Sequence, residues 1–266
     1  MAQPFYLVDA FAETPFTGNP AVVVPLAEPR DEAWYQRLAA EMNQSETAYL
    51  LPIGPSRYSL RWFTPQAEVD LCGHATLASA FALWETRRAD PDTPIVFETR
   101  SGELTCELSD DWVEMDFPVI PLEAIPAAGS GYEALGPVQE PRLVARAGVN
   151  LLVHLQHQEE VLHLAPDFAA LAALPYQGVI VTAKALNSEH EIVSRYFAPK
   201  LRIHEDPVTG SAHCALGPYW ANELGKRDIL AYQASARGGV LRLIHRGERI
   251  TLCGHALLVG QGELLI

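Results

Sequence analysis

The sequence predicts an α+β fold made of two similar lobes, and three observations lead to that prediction. Short segments of alternating apolar and polar residues, typical of strands, outnumber the segments with helical periodicity. Eighteen glycines and twenty prolines in 266 residues supply many turns, which suits a strand-rich fold better than a helical bundle. The third observation is an internal repeat in which each half carries a strand, an acidic loop and a helix in the same order.

The first half of the chain alternates strands with two helices. A helix is predicted from about Asp31 to Asn43, because Trp34, Leu38 and Met42 recur at a spacing of four and form one apolar stripe. A second helix is predicted over 75–84. Strands are predicted over 6–11, 21–26, 47–51, 58–62, 95–99, 104–108 and 113–117.

The second half repeats this mixture after a segment rich in Pro, Gly and Ala, 118–141, which predicts a linker. The predicted lobes are therefore 1–120 and 121–266. The last strand is a candidate to cross back and join the N-terminal lobe. Helices are predicted over 167–174, opened by an Asp cap, and over 211–224. Strands are predicted over 143–146, 151–155, 161–164, 179–182 and 192–197.

The repeat itself consists of an aromatic-x-Pro strand end, an acidic residue, and a glycine that opens a helix. In the first half these are WFTP at 62–65, Asp70 and Gly73; in the second they are YFAP at 196–199, Asp206 and Gly210. A duplicated fold usually places equivalent loops across a pseudo-two-fold cleft. The repeat therefore predicts that two helix N-termini meet at one cleft.

Composition and motifs exclude several classes of protein. A net charge of −14 disfavours binding to nucleic acid or to an anionic membrane surface. No apolar run approaches the length of a membrane span, and no signal peptide is evident, so we expect a cytoplasmic protein with four free thiols. The sequence has no Gly-x-Gly-x-x-Gly, P-loop or metalloprotease motif, so we expect neither a metal nor an organic cofactor.

The loop at 69–76 is the first candidate site. Gly73 would let the backbone approach a ligand, the following helix N–H groups could bind an anion, and His74 could donate a hydrogen bond or move a proton. A glycine-containing loop with a satisfied histidine is the plainer alternative. The second loop repeats these ingredients in Asp206, Gly210 and Ser211, where Ser211 could bind a carboxylate or simply cap the helix.

Glu46 is the third candidate, because it lies between an amphipathic helix and an apolar strand. Burial disfavours the charged form of a carboxylate, which suits a general acid or base near neutral pH. The alternative is a solvated glutamate at the start of a strand. A further segment, LCGHA at 252–256, repeats the letters of 71–75 but lacks an acidic residue at the corresponding position, and is predicted to be core or turn.

Four stretches together resemble the phenazine-biosynthesis PhzF-like family: DAFAETPFTGNPAVVV from Asp9, EMNQSETAYL from Glu41, RWFTPQAEVDLCGHATLASA from Arg61 and EDPVTGSAHCALGPYW from Glu205. The resemblance implies a diaminopimelate-epimerase-like fold, in which each lobe wraps a mostly antiparallel sheet around a central helix and the site lies between the lobes. It also implies a homodimer.

The resemblance further implies roles for individual residues. Glu46 is similar to the catalytic acid/base, His74 and Asp206 to its partners in the site, and Gly73, Gly210 and Ser211 to positions that bind the substrate carboxylate. Cys72 departs from the pattern, because the phenazine enzyme has a small apolar residue there, whereas cysteine-dependent racemases of this fold carry a catalytic thiol. The second thiol of such a pair is missing near Asp206.

The resulting hypothesis is a cofactor-independent isomerase that moves a proton within a small carboxylate-bearing substrate, with Glu46 as the acid/base. Two alternatives stay open: an epimerase or racemase that uses Cys72, and a non-catalytic small-molecule binding protein on the same fold.

Overall fold

Strands form most of the regular structure in this computed structural model, which describes residues 3–186 and 189–265. The first eight strands are β1 (Gln3–Ala10), β2 (Asn19–Pro25), β3 (Glu46–Gly54), β4 (Arg57–Phe63), β5 (Glu68–Val69), β6 (Ile95–Thr99), β7 (Gly102–Ser109) and β8 (Trp112–Pro118). The others are β9 (Leu122–Ala124), β10 (Leu143–Ala147), β11 (Asn150–His154), β12 (Val179–Lys184), β13 (Ile192–Phe197), β14 (Asp228–Gln233), β15 (Gly239–Arg246), β16 (Arg249–Gly254) and β17 (Ala256–Leu264). The α-helices are α1 (Glu32–Met42), α2 (Gly73–Glu85), α3 (Gln158–Leu162), α4 (Phe168–Ala173) and α5 (Gly210–Leu224).

The chain divides into two compact units, the first made of Met1–Phe117 with Thr251–Ile266 and the second of Pro118–Ile250. Both contain mixed, mostly antiparallel sheets with few helices, so the predicted α+β class is confirmed. None of the described helices combines the length and apolar character needed to cross a bilayer.

In the first unit, two helices make the crossovers between parallel strand pairs. β2 pairs in parallel with β3 across α1, and β4 pairs in parallel with β6 across α2, whereas β3–β4, β6–β7 and β1–β17 are antiparallel. α2 packs against β1, β2, β3 and β17. Ten of its residues from His74 to Trp84 are buried, as expected of a helix that a sheet surrounds.

The second unit repeats this order of pairings. β11 pairs in parallel with β12 across α3 and α4, β12 is antiparallel to β13, β13 is parallel to β14 across α5, and β14 is antiparallel to β15. α5 packs against β14 and β15 and buries most of its length. The two lobes are therefore similar in topology, as the internal repeat predicted.

Helix α1 matches its predicted limits, because Asp31 caps it and Asn43 ends it in the left-handed conformation. Its buried stripe is different from the predicted one. Tyr35, Leu38 and Ala39 are buried, whereas Trp34 and Met42 are only partly buried at the edge of the cluster. In a helix with 3.6 residues per turn, residues spaced four apart shift steadily around the helix axis and leave the buried face. The buried residues of α1 instead follow spacings of three and four.

Two predictions in the second half are wrong. The segment 161–164 is not a strand: α3 ends there, and at its start the Glu160 carboxylate accepts a hydrogen bond from the His157 N–H at 3.0 Å. The linker predicted over 118–141 belongs to the second unit and contains β9, which pairs with β10, and a 3-10 helix at Tyr132–Leu135.

Candidate active site

Glu46 is the first residue of β3, where the chain turns inward after the left-handed Asn43 ends α1. The parallel pairing of β2 with β3 places Glu46 opposite Ala21, in the interior of the first unit. Its exposed fraction is only 9%. The carboxylate is therefore nearly enclosed, which is the environment expected of a general acid or base rather than of a solvated strand end.

His74 of α2 contacts the Glu46 carboxylate. It is the second residue of the helix and is 5% exposed, and its Nε2 lies 2.9 Å from Oε2 of Glu46. Cys72, the N-cap residue of α2, completes the group with its Sγ 3.5 Å from Nδ1 of His74. Three of the predicted site residues therefore form one cluster inside the first unit, and Gly73 lies between two of them in the chain.

Asn19 also contacts this cluster, although the sequence analysis did not assign it. It is the first residue of β2, is fully buried, and its Nδ2 lies 3.2 Å from Nδ1 of His74. The imidazole ring is thus contacted at both nitrogens, by Glu46 at Nε2 and by Asn19 and Cys72 at Nδ1. An Asn-Pro pair just before a predicted strand, within a stretch that carries the family resemblance, was a usable signal for Asn19.

The charges of the cluster are coupled. Burial, together with the charge of Glu46, raises the pKa of the Cys72 thiol, so Cys72 holds its proton near neutral pH. Burial alone disfavours the imidazolium of His74, but the anionic groups beside it, Cys72 when ionised and Glu46, raise the pKa of His74 above its usual range.

The same three side chains could also hold a metal ion. One donor atom each from Glu46, Cys72 and His74 lies within 4.8 Å of the other two. Oxygen, sulfur and nitrogen donors in this number suit Zn²⁺ rather than Mg²⁺ or Ca²⁺.

In the second unit, a buried glutamine organises the loop that carries Asp206. Gln233 is fully buried, and its Oε1 accepts a hydrogen bond from the Thr209 N–H at 2.9 Å. Its Nε2 donates to the Asp206 carbonyl at 2.8 Å. The Thr209 hydroxyl in turn donates to Oδ2 of Asp206 at 2.5 Å, so both ends of the loop and its carboxylate are held in place.

A paired arginine supports the other side of this loop. Arg195 makes a bidentate pair with Glu205, with N–O distances of 2.6 and 2.9 Å, and also donates to the carbonyls of Val161 and Leu164. Such a planar two-bond contact fixes orientation as well as distance. The residue next to Asp206 is therefore anchored to the body of the second unit.

The helices α2 and α5 share an unusual start. Their N-cap residues, Cys72 and Thr209, make no side-chain hydrogen bond to the first turn, whereas Asp31 and Asp167 cap α1 and α4 in the ordinary way. The interpretation of Ser211 as an N-cap is wrong, because Ser211 is the second residue of α5 and is exposed. First-turn N–H groups without a side-chain cap are suited to bind an anion.

Two further features of the first unit lie apart from this cluster. A groove of about 1100 Å³ is lined by the C-terminal end of α2 and by His255, and it contains none of the cluster residues. The segment 252–256 belongs to β16 and β17, with Cys253 and Gly254 buried, and Nδ1 of His255 lies 2.9 Å from the carbonyl of Asp111. That segment is core and turn, as predicted.

The two similar lobes, each with a mixed sheet packed on a helix, are those of the diaminopimelate-epimerase-like fold class. A hydroxyproline epimerase from Agrobacterium vitis shares this fold over 99% of the chain and 92% of its own, with a TM-score of 0.64 at 12% identity. The family model for phenazine biosynthesis-like proteins, PhzC-PhzF, matches residues 8–262. The chain therefore belongs to the PhzC-PhzF family.

Two full-length relatives agree with this assignment. A protein named "Uncharacterized isomerase" from Halalkalibacterium halodurans is 45% identical over 274 residues, covering all of both chains. A crystal structure of a PhzF-family phenazine biosynthesis protein from Enterococcus faecalis is 43% identical, with a TM-score of 0.94 over the full length of both chains.

Proposed function

We propose that this protein is a cofactor-independent isomerase that moves a proton within a small carboxylate-bearing substrate. The observation that carries the proposal is the nearly buried Glu46 carboxylate, held 2.9 Å from His74. Relatives 45% identical over almost their whole length, from Halalkalibacterium halodurans and Pseudomonas aeruginosa, carry the name isomerase. Their names support an isomerase.

Glu46 acts as the proton carrier in this proposal. The contact with His74 engages Oε2, and we assign proton transfer to the other carboxylate oxygen, Oε1. Oε1 takes a proton from a substrate carbon next to an unsaturated or carboxylate group, and the C–H electron pair moves into that group. The neutral carboxyl then returns the proton to a different carbon, so that atoms and charge balance over the cycle.

The helix start at Gly73 binds the substrate carboxylate in this mechanism. The first turn of α2 has no side-chain cap, so its N–H groups can hold an anion and stabilise the negative charge that develops on proton removal. We assign the same kind of role to Gly210 and Ser211 at the start of α5, and to Asp206, from the internal repeat and the family resemblance. Replacement of Asp206 by Asn tests that part of the assignment.

Cys72 is assigned to lining the substrate site rather than to proton transfer. A thiol whose pKa is raised by burial and by a neighbouring carboxylate is a poor base at neutral pH. This argument favours isomerisation through Glu46 over the alternative of an epimerase that depends on the thiol.

The proposal is tested by replacing Glu46 with Gln, which keeps size and hydrogen-bonding capacity but cannot carry the proton. Unsaturated amino and hydroxy acids are screened in D₂O by NMR for isomerisation or deuterium incorporation. With a substrate in hand, Glu46→Gln should lower kcat by about 10²–10⁴-fold while ligand affinity changes little.

Glu41→Gln is the matched control, because Glu41 is exposed on α1 in the same unit and should turn over like the wild type. If Glu46→Gln keeps full turnover while Cys72→Ala abolishes it, the protein is a thiol epimerase. If neither change affects a measurable biological activity, the non-catalytic binding protein becomes the better hypothesis.

A homodimer and a cytoplasmic location remain predictions. Light scattering coupled to size-exclusion chromatography tests the first, and fractionation of cells that express the natural gene tests the second.

A further inference from the structure

The Glu46–Cys72–His74 cluster has the composition of a zinc site with one open position. Its donors are one carboxylate, one thiol and one imidazole, all on residues that are at most 9% exposed. Catalytic zinc sites commonly combine three such protein ligands with one exchangeable position.

The distances are close to those a cation requires. In a tetrahedral zinc site with bonds of about 2.0–2.3 Å, neighbouring ligand atoms lie about 3.3–3.6 Å apart. Nε2 of His74 is 2.9 Å from Oε2 of Glu46 and 4.0 Å from Sγ of Cys72. The Glu46 oxygen is therefore close to a bonding position around a cation on Nε2. Sγ of Cys72 lies nearer to Nδ1, at 3.5 Å, so the thiol must move along the ring towards Nε2 when the cation binds.

Asn19 can support the ring in that state. A histidine bound to a metal through one nitrogen usually donates its other N–H to an oxygen. The Asn19 amide lies 3.2 Å from Nδ1, so a rotation of the amide presents its oxygen to an Nδ1–H.

We propose that Glu46, Cys72 and His74 bind a thiophilic divalent cation, with Zn²⁺ as the physiological candidate, and that the bound cation inhibits the enzyme. Binding releases the thiol proton, and any proton on the imidazole, to solvent. The cation then occupies the carboxylate that would otherwise accept the substrate proton. The binding part stands by itself, and only the inhibition part rests on the proposed function.

Hard cations should not compete. Mg²⁺ and Ca²⁺ prefer oxygen ligands and gain little from a thiolate and an imidazole. Millimolar Mg²⁺ should therefore leave both Zn²⁺ binding and turnover unaffected, which separates a donor-specific site from general attraction to an acidic protein.

The test uses Co²⁺ as the probe, since a Co²⁺–thiolate bond gives a charge-transfer absorption in the near ultraviolet. Chelator-treated full-length protein is titrated with CoCl₂, and Zn²⁺ is then added. Wild type should bind one equivalent of Co²⁺ with the thiolate band, and Zn²⁺ should abolish the band. Cys72→Ala should lose the band and bind Co²⁺ at least about tenfold more weakly.

Two variants make the result specific. Cys106→Ala removes another buried thiol of the same unit and should keep the band. Glu46→Gln should also keep it, because the thiolate remains, but should bind Co²⁺ more weakly than wild type. If Cys72→Ala binds Co²⁺ as tightly as wild type, or the band persists in it, the site does not exist.

Inhibition is measured separately, as the Zn²⁺ concentration that halves the turnover of each variant relative to its own metal-free rate. Cys72→Ala should need at least about tenfold more Zn²⁺ than wild type or Cys106→Ala. Equal sensitivity of Cys72→Ala and wild type would overturn the inhibition part. A failure of the isomerase proposal would leave the absorption result intact, so the two outcomes are distinguishable.

Discussion

At the scale of single residues, His74 is the residue that joins the cluster. It contacts the Glu46 carboxylate through Nε2, and its Nδ1 lies near both Asn19 and Cys72. Glu46 and His74 were both predicted as site residues from the sequence. Their direct contact could not be predicted, because it depends on how the start of β3 lies beside the start of α2.

Cys72 provides a prediction that separates the two chemical alternatives. Cys72→Ala removes the thiol but leaves the Glu46–His74 contact, so kcat should fall much less than in Glu46→Gln. Steady-state kinetics of both variants on the same substrate make the comparison. A loss in Cys72→Ala as large as that in Glu46→Gln would assign the thiol a part in proton transfer.

His213 gives a prediction about stability rather than activity. It is fully buried in α5, its Nδ1 lies 2.8 Å from the carbonyl of Thr209, and burial lowers its pKa to about 4. An unfolded histidine titrates near about 6.5, so between these values the unfolded state binds more protons. The stabilising contribution of neutral His213 is therefore present above pH 6.5 and is lost as the pH falls towards 4.

The expected loss is about 3 kcal/mol in the free energy of unfolding over that range. Urea unfolding at pH 7 and pH 4.5 should show a smaller decrease for His213→Gln than for wild type. His163→Gln is the control, because that side chain is exposed in the same unit, and it should follow the wild type. Equal decreases in all three proteins would contradict the assignment.

At the scale of secondary-structure elements, local signals located most helices and strands. Asp31, Asn43 and Asp167 mark helix ends by caps whose chemistry is local, so the limits of α1 and α4 were predicted to within a residue or two. Alternation identified β4, in which Tyr58, Leu60 and Trp62 are buried.

The elements that were missed depend on tertiary contacts. The apolar run at 161–164 resembled a strand, yet a short helix begins where the Glu160 carboxylate accepts a hydrogen bond from the His157 N–H. Val161 is the buried residue of that helix and fills the core. β9 is only three residues long and exists because it pairs with β10. The sequence of such a short segment does not show which strand it will pair with or which core it will pack against.

Gly254 provides the prediction at this scale. A Cβ at this position would fall on the ring of Phe11 and within 2.8 Å of Leu77 Cδ1, and both side chains are fully buried. The end of β16 therefore needs glycine to pack against α2. Gly254→Ala should lower the free energy of unfolding by about 1–3 kcal/mol, measured by urea denaturation.

Gly260→Ala is the matched substitution in β17. A Cβ there meets only Leu7 Cβ at 3.9 Å, an ordinary contact, so the urea midpoint should change little. If the two variants unfold at the same urea concentration, the packing argument for Gly254 is wrong.

At the scale of the whole molecule, the prediction concerns dependence on added groups. Protein treated with a chelator and dialysed should turn over at least as fast as before treatment, because the proposed mechanism uses only side chains and helix N–H groups and any bound Zn²⁺ would inhibit it. Turnover before and after treatment, with metal analysis of both samples, makes the comparison. Activity that disappears with the chelator and returns with one particular metal would contradict the mechanism.

The repeated order of strand pairings in the two units has a consequence for how such a chain evolves. When two identical chains are made from one short gene, every substitution appears in both chains. A substitution that improves one chain must therefore be tolerated in the other. Copies fused in one gene diverge one position at a time. The residue after the helix-opening glycine is histidine beside a carboxylate in one copy and an exposed serine in the other. Fusion therefore lets the contact between Glu46 and His74 change without altering the anchored loop around Asp206, and we expect substitutions in these two regions to occur independently among relatives.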